Sequence, residues 1–262
     1  MHPVWLILIA FVVSVVVFAI LWWVQKRTGD SGIVDVAWSL GVGMNGAFFC
    51  WLSAGNVTRR WIVGTLVMVW AIRLSLHIYQ RVLKMEEDGR YTELKEQWGD
   101  EADWRMFRFY QFQAIAAVLF ALPMLIAAAN TDGLGVLDYT GVLIWLFALV
   151  GESIADVQLS RFRLNPANKG QVCKNGLWRY SRHPNYFFEW LHWWSYVLLA
   201  VSGSYGWLAI FAPLSMLFFI LKVTGIPPTE RQALKSRGEL YREYQRTTSS
   251  FFPWFPKGEQ RR

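Results

Sequence analysis

Long apolar runs constrain this chain more than any other feature of its sequence. Seven runs each approach the roughly 20 residues that a helix needs to cross a hydrocarbon layer of about 30 Å. In lipid the backbone must satisfy its own hydrogen bonds, so the runs are predicted to be helices. The sequence therefore predicts an all-α integral membrane protein with seven transmembrane helices. The predicted spans cover residues 3–24, 33–52, 61–79, 110–129, 138–159, 185–202 and 205–223.

Basic residues set the predicted orientation of these spans. The net charge is +7, and the lysines and arginines concentrate in alternate segments, while the intervening segments hold only Arg59 and Arg60. Because basic residues mark the cytoplasmic side, the N-terminus is predicted to lie outside and the C-terminus in the cytoplasm. The charge is thus a topology signal, and no nucleic-acid partner is predicted. The predicted cytoplasmic segments are loops 80–109 and 160–184 and a C-terminal helix and tail at 227–262.

Cysteine and histidine placement argues against a disulfide framework and against a metal site. Cys50 falls in a predicted span and Cys173 in a predicted loop, so they offer neither a disulfide pattern nor a metal spacing. The four histidines match no metal-binding motif. No metal is therefore predicted.

Polar residues recur at helical spacing inside the predicted spans. An ionisable side chain in a span costs at least ~2.5–3.5 kcal/mol, so it is a functional hypothesis by default. The alternative is that these residues hold the helices together, since polar groups also join membrane helices. Because three stripes reach the cytoplasmic side, we favour a polar cavity entered from the cytoplasm. The stripes are Glu152, Asp156 and Arg163; Asn185, Glu189, His192 and Tyr196; and Arg73, His77 and Gln80, with Asp35 and Trp38 in the second span.

The segment "GLWRYSRHPNYFFEW" (176–190) predicts the start of the sixth span. Pro184 suits the first turn of a helix, where its missing N–H costs nothing. A helix N-terminus flanked by Arg179 and Arg182 favours an anion of phosphate size. The alternative is that these arginines report topology alone.

Two cytoplasmic segments are predicted to be helical. The first segment, 86–107, predicts a short helix around Tyr91–Trp98 that stops at Gly99. In the second segment, Thr229 with Gln232 forms a capping-box pattern before a charged helix that runs to about Tyr244. This helix is either a solvated amphipathic helix at the membrane surface or a lid over the cavity. The lid would carry Glu230, Arg231 and Tyr241.

The same motifs resemble a known group of membrane enzymes. "GLWRYSRHPNYFFEW" resembles the signature shared by the steroid 5α-reductase family, sterol reductases and isoprenylcysteine carboxyl methyltransferases. The resemblance is closest to the bacterial branch of the steroid 5α-reductase-like proteins. There "IVDVAW", "AIRLSLHI", "GRYTELKEQWG" and "RHPNYFFEW" recur in this order, over about residues 31–255. It implies seven spans and a cytoplasm-facing NADPH site in a protein of the bacterial inner membrane.

The resemblance also implies roles for individual residues. Asn185 and Glu189 match the family's Asn and Glu, and Asp156 and Arg163 match its Asp and Arg. Glu152 stands where the steroid enzymes have an Asn, and Arg73 resembles a family arginine. With the arginine beside the His-Pro motif and the C-terminal lid, the expected cofactor-binding residues are Arg73, Glu152, Asp156, Arg163, Arg182, Asn185, Glu189, Glu230, Arg231 and Tyr241.

The reaction implied is reduction of the Δ4 double bond of a 3-oxo-Δ4-steroid or a similar conjugated enone lipid. Hydride passes from the nicotinamide to the β-carbon, and a donor must stabilise the charge that develops on the carbonyl oxygen. Asp35, protonated by burial, is the first candidate donor, with Trp38 beside it. His77 and Tyr196 are the alternative donors. The expected partners are a small lipophilic steroid-like substrate and membrane lipid, and a monomer is expected.

Two rival functions stay open from the sequence. The first is an S-adenosylmethionine-dependent methyltransferase, because that family shares the Arg-His-Pro element. The second is a non-enzymatic lipid-binding or scaffolding membrane protein whose stripes only hold helices together. Binding of NADPH, of S-adenosylmethionine or of neither discriminates among the three.

Overall fold

The chain is described by a computed structural model at residues 1–29, 31–84 and 89–257, without the side chains at 84, 89 and 90. Within these ranges every regular element is helical, as predicted. The predicted cytoplasmic segments also include residues 85–88 and 258–262, which lie outside the described ranges. The α-helices are α1 Pro3–Thr28, α2 Ile33–Leu52, α3 Val57–Lys84, α4 Gly89–Trp98, α5 Ala102–Ala129, α6 Val136–Leu164, α7 Pro184–Ala200, α8 Phe211–Phe218, α9 Ile226–Arg237 and α10 Glu239–Thr247.

Six helical segments of the described chain are long and apolar enough to cross a membrane. They are Pro3–Thr28, Ile33–Leu52, Val57–Leu83, Tyr91–Ala129, Val136–Leu164 and Gly206–Arg237. The predicted span 185–202 corresponds to α7, which has 17 residues. That length is at the lower limit for crossing the hydrocarbon layer. The protein is thus a multi-pass helical protein, while the count of seven spans and the orientation stay predictions.

The chain divides into two compact units. Unit 1 comprises Met1–Tyr139 and Tyr196–Ala212, and unit 2 comprises Thr140–Ser195 and Pro213–Arg262. In unit 1, α2 packs against α3 and α5, and α1 packs against α5. The apolar contact among α1, α2 and α5 is formed by Leu6, Ala10, Phe49, Val118, Ala121 and Leu125.

A buried ion pair fixes the connections between helices in unit 1. The side chains of Arg59 and Asp138 are 0% and 3% exposed. Arg59 Nε donates to Asp138 Oδ1 over 2.8 Å, and Nη2 donates to Oδ2 over 2.9 Å. The guanidinium also donates to the backbone oxygens of Asp132 and Gly133. The sequence identifies Arg59 only as a basic residue between spans, whereas in the structure it joins the start of α3 to the first turn of α6 and to the segment between α5 and α6.

In unit 2, two glycines allow close contacts against α6. A Cβ on Gly151 would lie 2.4 Å from the ring of Phe188, so the absence of a side chain lets α7 approach α6 at this point. Gly176 begins a short 3-10 turn with φ +59°, and a Cβ there would lie 2.3 Å from the Gln158 amide. The turn is further attached to α6 because Trp178 Nε1 donates to Ala155 O over 2.9 Å.

The C-terminal helices differ from the single charged helix that the sequence predicts. α9 begins at Ile226 with prolines in its first turn, and Gly238, at φ +53°, separates α9 from α10. The capping-box prediction for Thr229 is wrong, because its hydroxyl donates to Gly225 O over 2.8 Å instead of capping a helix start. Two prolines already suit the first turn, where no N–H is needed. By contrast α4 ends at Trp98, immediately before Gly99, as predicted.

Candidate functional site

Unit 2 buries a group of acids on facing parts of α6 and α7. Glu152, Asp156 and Glu189 are 4%, 6% and 9% exposed. Asn185 connects the two helices because its Nδ2 donates to Asp156 Oδ1 over 3.2 Å. Trp193 Nε1 donates to Glu189 Oε1 over 3.0 Å, which fixes that carboxylate along α7. We call these four residues, Glu152, Asp156, Asn185 and Glu189, the acid cluster.

The sequence builds this cluster through helical spacing and one tight helix contact. Glu152 and Asp156 are four residues apart on α6, as are Asn185 and Glu189 on α7, so each pair lies on one face of its helix. Pro184 starts α7 and places Asn185 in the first turn. Phe188 packs closely against α6 at the glycine preceding Glu152. The predicted stripes of the fifth and sixth spans therefore meet through the Asn185–Asp156 hydrogen bond.

The side-chain amide oxygen of Asn185 in the acid cluster has no hydrogen-bond partner within the described chain. Asn185 Oδ1 is buried and accepts no hydrogen bond there. Most buried polar atoms in folded proteins are hydrogen-bonded, and leaving one unbonded costs about 1–3 kcal/mol. A ligand that presents an amide N–H or a hydroxyl would satisfy this oxygen. The neighbouring carboxylates are acceptors of the same kinds of donor.

A second polar network in unit 2 is centred on Glu230 of α9. Arg182 Nε donates to Glu230 Oε1 over 2.7 Å, and His183 Nε2 lies 3.2 Å from the same oxygen. Gln245 Nε2 donates to Glu230 Oε2 over 2.7 Å, and the Tyr241 hydroxyl donates to Oε1 over 3.4 Å. Both carboxylate oxygens of Glu230 are therefore bonded to protein groups.

Arg182 also holds the chain that follows α10. Its Nη1 donates to the backbone oxygens of Gln245 and Thr248 over 3.1 and 2.5 Å. Its backbone N–H donates to Ser249 O over 2.8 Å. Two of its three guanidinium nitrogens are thus used within the protein. In the structure, Arg182 and Glu230 hold the start of α7 against the C-terminal helices. Their predicted cofactor contacts stay predictions.

Burial disfavours the charged form of His183 in this network. Burial lowers the pKa of His183 below its ordinary 6.5, and the hydrogen bond to Glu230 opposes this shift. The imidazole stacks on the ring of Tyr186, with centroids 5.3 Å apart and an interplanar angle of 6°. Burial also raises the pKa of Tyr241 and of Tyr244 above the usual range, so both phenols stay protonated.

The other predicted cofactor residues are more accessible or lie in unit 1. Arg163 at the end of α6 and Arg231 on α9 have exposed side chains. Arg73 is half-buried on α3. The cofactor roles of these three arginines stay predictions.

The predicted catalytic residues all lie in unit 1, and Asp35 is an acceptor there. The Tyr91 hydroxyl donates to Asp35 Oδ1 over 2.8 Å, and Arg81 Nη2 lies 4.0 Å from Oδ2. The donor of this pair is the hydroxyl of Tyr91 on α4, and the predicted donation from Asp35 to a substrate carbonyl is a separate contact that stays a prediction. The sequence did not reveal this pairing, because the two residues are 56 positions apart and on different helices. The catalytic role of Asp35 stays a prediction.

The remaining three candidates differ in their surroundings. Trp38 packs edge-on against Trp70 and Phe120, with ring centroids 6.2 and 5.7 Å apart. Tyr196 is fully buried near the end of α7, and His77 is half-buried on α3. Across residues 1–29, 31–84 and 89–257, no three His, Cys, Asp or Glu side chains are grouped so that they could hold a metal ion.

Comparisons with known proteins give a family but no characterised relative. The family described as "Protein of unknown function (DUF1295)" matches residues 21–248. An uncharacterized protein of Schizosaccharomyces pombe is 26% identical, over 94% of this chain and 79% of its own length. No solved structure matches the chain.

Proposed function

The chain belongs to the DUF1295 family of the steroid 5α-reductase-like superfamily, and from that premise we propose that it is an NADPH-dependent reductase. Its substrate is a lipophilic molecule with a carbon–carbon double bond conjugated to a ketone, such as a 3-oxo-Δ4-steroid. The enzyme acts from a multi-pass position in the bacterial inner membrane with its cofactor site towards the cytoplasm, as a monomer.

The observation that carries this proposal is the unbonded Asn185 Oδ1 beside buried carboxylates. A buried acceptor without a donor is unfavourable in the protein alone, and it is satisfied when a ligand supplies an N–H or O–H group. NADPH offers both, through the carboxamide of its nicotinamide and the hydroxyls of its riboses. The donor pattern of the cofactor therefore fits the acceptor pattern of the acid cluster.

In this proposal, different residues bind different parts of the cofactor. Asn185, Asp156 and Glu189 accept from the carboxamide and ribose hydroxyls, and Glu152 completes this acceptor group. Arginine suits phosphate because its guanidinium donates two parallel hydrogen bonds. Arg163 and Arg231 are exposed and meet the phosphates, with Arg73 and the remaining nitrogen of Arg182 as further donors. When bound, NADPH supplies the hydride.

The protein's own contribution to the chemistry is a hydrogen-bond donor for the carbonyl oxygen of the substrate. Negative charge develops on this oxygen as the β-carbon is reduced, and a fixed donor in a dry site stabilises it. The candidate donors are His77 and the Tyr196 phenol, with Asp35 acting through its hydrogen bond to Tyr91. Trp38 and its aromatic neighbours supply the apolar surface for a flat substrate.

A ligand-dependent stability measurement tests the cofactor part of the proposal. The detergent-purified protein is heated with NADPH, NADH or S-adenosylmethionine. A ligand that binds only the native state at about a hundred times its Kd stabilises by about 2.7 kcal/mol. We expect stabilisation by NADPH, and its loss in Glu189→Gln. The matched control is Glu239→Gln, because Glu239 is an exposed glutamate whose side chain is 64% accessible.

The outcomes separate the rival functions. Stabilisation by S-adenosylmethionine alone would replace the reductase by a methyltransferase. Stabilisation by neither ligand would favour a non-enzymatic lipid-binding protein. If NADPH binds, its oxidation is followed by the loss of reduced-nicotinamide absorbance with a panel of enone lipids, and a panel without turnover would contradict the substrate class.

A further inference from the structure

Unit 1 has an apolar groove on its outer surface that the proposed reaction does not use. The groove has a volume of about 570 Å³ and runs between α2 and α3. Its walls are aliphatic, aromatic and small side chains, with a single charged residue, Arg60. Its lining residues include Cys50, Trp51, Arg60, Trp61, Thr65 and Ile72.

Arg60 is fixed at one end of this groove by the end of α2. Its Nε donates to Cys50 O over 2.7 Å, and its Nη2 donates to Trp51 O. These carbonyls belong to the last turn of α2, where a cation is also favoured by the helix dipole. Within the described residues Arg60 forms no ion pair, so its positive charge is not neutralised by a carboxylate. Nη1 keeps its donors for a ligand outside the protein.

The length of the groove matches one leaflet of a bilayer. From Arg60 to Ile72 the groove follows twelve residues of α3, or about 18 Å at 1.5 Å per residue. Half of a hydrocarbon layer of about 30 Å is about 15 Å. An extended acyl chain that begins at Arg60 therefore reaches the middle of the membrane where the groove ends.

Two tryptophans indicate that the Arg60 end lies at the membrane surface. Trp51 and Trp61 are 73% and 71% exposed, and both line the groove near Arg60. Tryptophan is enriched at the level of lipid headgroups, where its indole contacts both apolar and polar groups. The charged end of the groove is thus at headgroup depth and its apolar end in the hydrocarbon region.

We propose that this groove is a binding site for a membrane phospholipid, with the lipid phosphate on Arg60 and one acyl chain between α2 and α3. Charge complementarity selects the phosphodiester, because an unneutralised guanidinium pairs with phosphate through parallel hydrogen bonds. The length of the apolar part selects a chain that spans one leaflet. This site does not depend on the proposed reductase activity, since it contains none of the residues assigned to that reaction.

Native mass spectrometry of the detergent-purified protein tests the site. The probe is dioleoyl phosphatidylglycerol, compared with dioleoylglycerol, which lacks the phosphate, and with glycerol 3-phosphate, which lacks the chains. We expect retention of phosphatidylglycerol alone, weakened on the order of tenfold in Arg60→Gln, because one charge-assisted contact is lost. Arg27→Gln is the matched control, since Arg27 is an exposed arginine at the end of α1.

A second variant tests the groove without disturbing Arg60. Thr65 lines the groove and is exposed, so Thr65→Trp fills the acyl path and leaves the bonds of Arg60 to α2 in place. We expect it to weaken lipid retention as Arg60→Gln does. Val12→Trp on α1 is the control for an added tryptophan, because Val12 is 57% exposed and lies outside the groove.

Three results would overturn the proposal. Equal retention of phosphatidylglycerol by Arg60→Gln and Arg27→Gln would show that the lipid binds elsewhere. Retention of glycerol 3-phosphate as strong as that of the whole lipid would reduce the site to an anion site. A dimer that Thr65→Trp dissociates would assign the groove to a second copy of the chain.

Discussion

Arg59 and Asn185 both carry buried polar atoms, but they differ in how completely those atoms are bonded. All three guanidinium nitrogens of Arg59 donate to protein oxygens, and both oxygens of Asp138 accept. Asn185 has one bonded nitrogen and one buried oxygen without a donor. The Arg59–Asp138 pair is therefore bonded within the protein alone, whereas the proposed function assigns the unbonded oxygen of Asn185 to a ligand.

Breaking the fully hydrogen-bonded Arg59–Asp138 pair should have the largest effect on the free energy of unfolding. Arg59→Gln leaves the Asp138 carboxylate buried without its cation, and removing one member of a buried pair costs about 3–5 kcal/mol. We expect a loss of this size in the free energy of unfolding, measured by titration with a denaturing detergent. Arg27→Gln is the control, since Arg27 is an exposed arginine at the end of α1. A change below 1 kcal/mol in Arg59→Gln would contradict the structural role of the pair.

A smaller effect is expected where α6 and α7 meet beside the acid cluster. Gly151→Ala places a methyl group 2.4 Å from the Phe188 ring, and overpacking of this kind costs about 1–3 kcal/mol. Because Phe188 lies between Asn185 and Glu189 in α7, the same change should weaken NADPH binding. Gly133→Ala is the control, since nothing lies within 4 Å of its added Cβ. Phe188→Leu in the Gly151→Ala background should restore part of the stability.

Replacing Asn185, whose side-chain oxygen is unbonded, should affect NADPH binding more than the free energy of unfolding. Asn185→Ala removes one hydrogen bond and one unsatisfied oxygen, so we expect a change in unfolding free energy below about 1 kcal/mol. The affinity for NADPH should fall by about tenfold, measured by the ligand-dependent thermal shift. Asn175→Ala is the control because Asn175 is exposed and its side chain makes no capping hydrogen bond. A large loss of stability with unchanged NADPH affinity would make Asn185 a structural residue.

The smallest predicted effect is a pH dependence from His183, a member of the complete network around Glu230. Burial lowers its pKa in the folded state below 6.5, so below pH 6.5 the unfolded chain binds a proton that the folded chain excludes. The contribution of His183 to the free energy of unfolding is constant above pH 6.5. It is lost as the pH falls from 6.5 towards the folded-state pKa. The slope is at most about 1.4 kcal/mol per pH unit.

Unfolding of the native protein and of His183→Gln between pH 5 and pH 7.5 measures this contribution. Glutamine keeps a hydrogen-bond donor for Glu230 but does not titrate in this range. The variant should lose less stability than the native protein as the pH falls. Equal losses in both proteins would assign the pH dependence to other groups.

Hydropathy and helical spacing predicted the parts of this protein that depend on neighbours along the chain. The all-helical class and the apolar spans follow from runs of about 20 residues, and the acid cluster follows from pairs four residues apart. The sequence did not predict the partner of Arg59, because Asp138 is 79 positions away. Nor did it predict that Glu230 bonds Arg182 across 48 positions. Such pairs depend on how helices pack, which the spacing within one helix does not report.

The hydrogen bonds of Arg182 also determine when, during synthesis of the chain, the start of α7 reaches its final contacts. Its guanidinium donates to Thr248 O, 66 positions later in the chain. A ribosome adds about 5–20 residues per second, so that oxygen is synthesised about 3–13 s after Arg182. During these seconds the arginine at the start of α7 has neither Glu230 nor the backbone carbonyls that hold it in the finished protein. The beginning of α7 is therefore made in the middle of synthesis but acquires its final environment only when the C-terminal helices arrive.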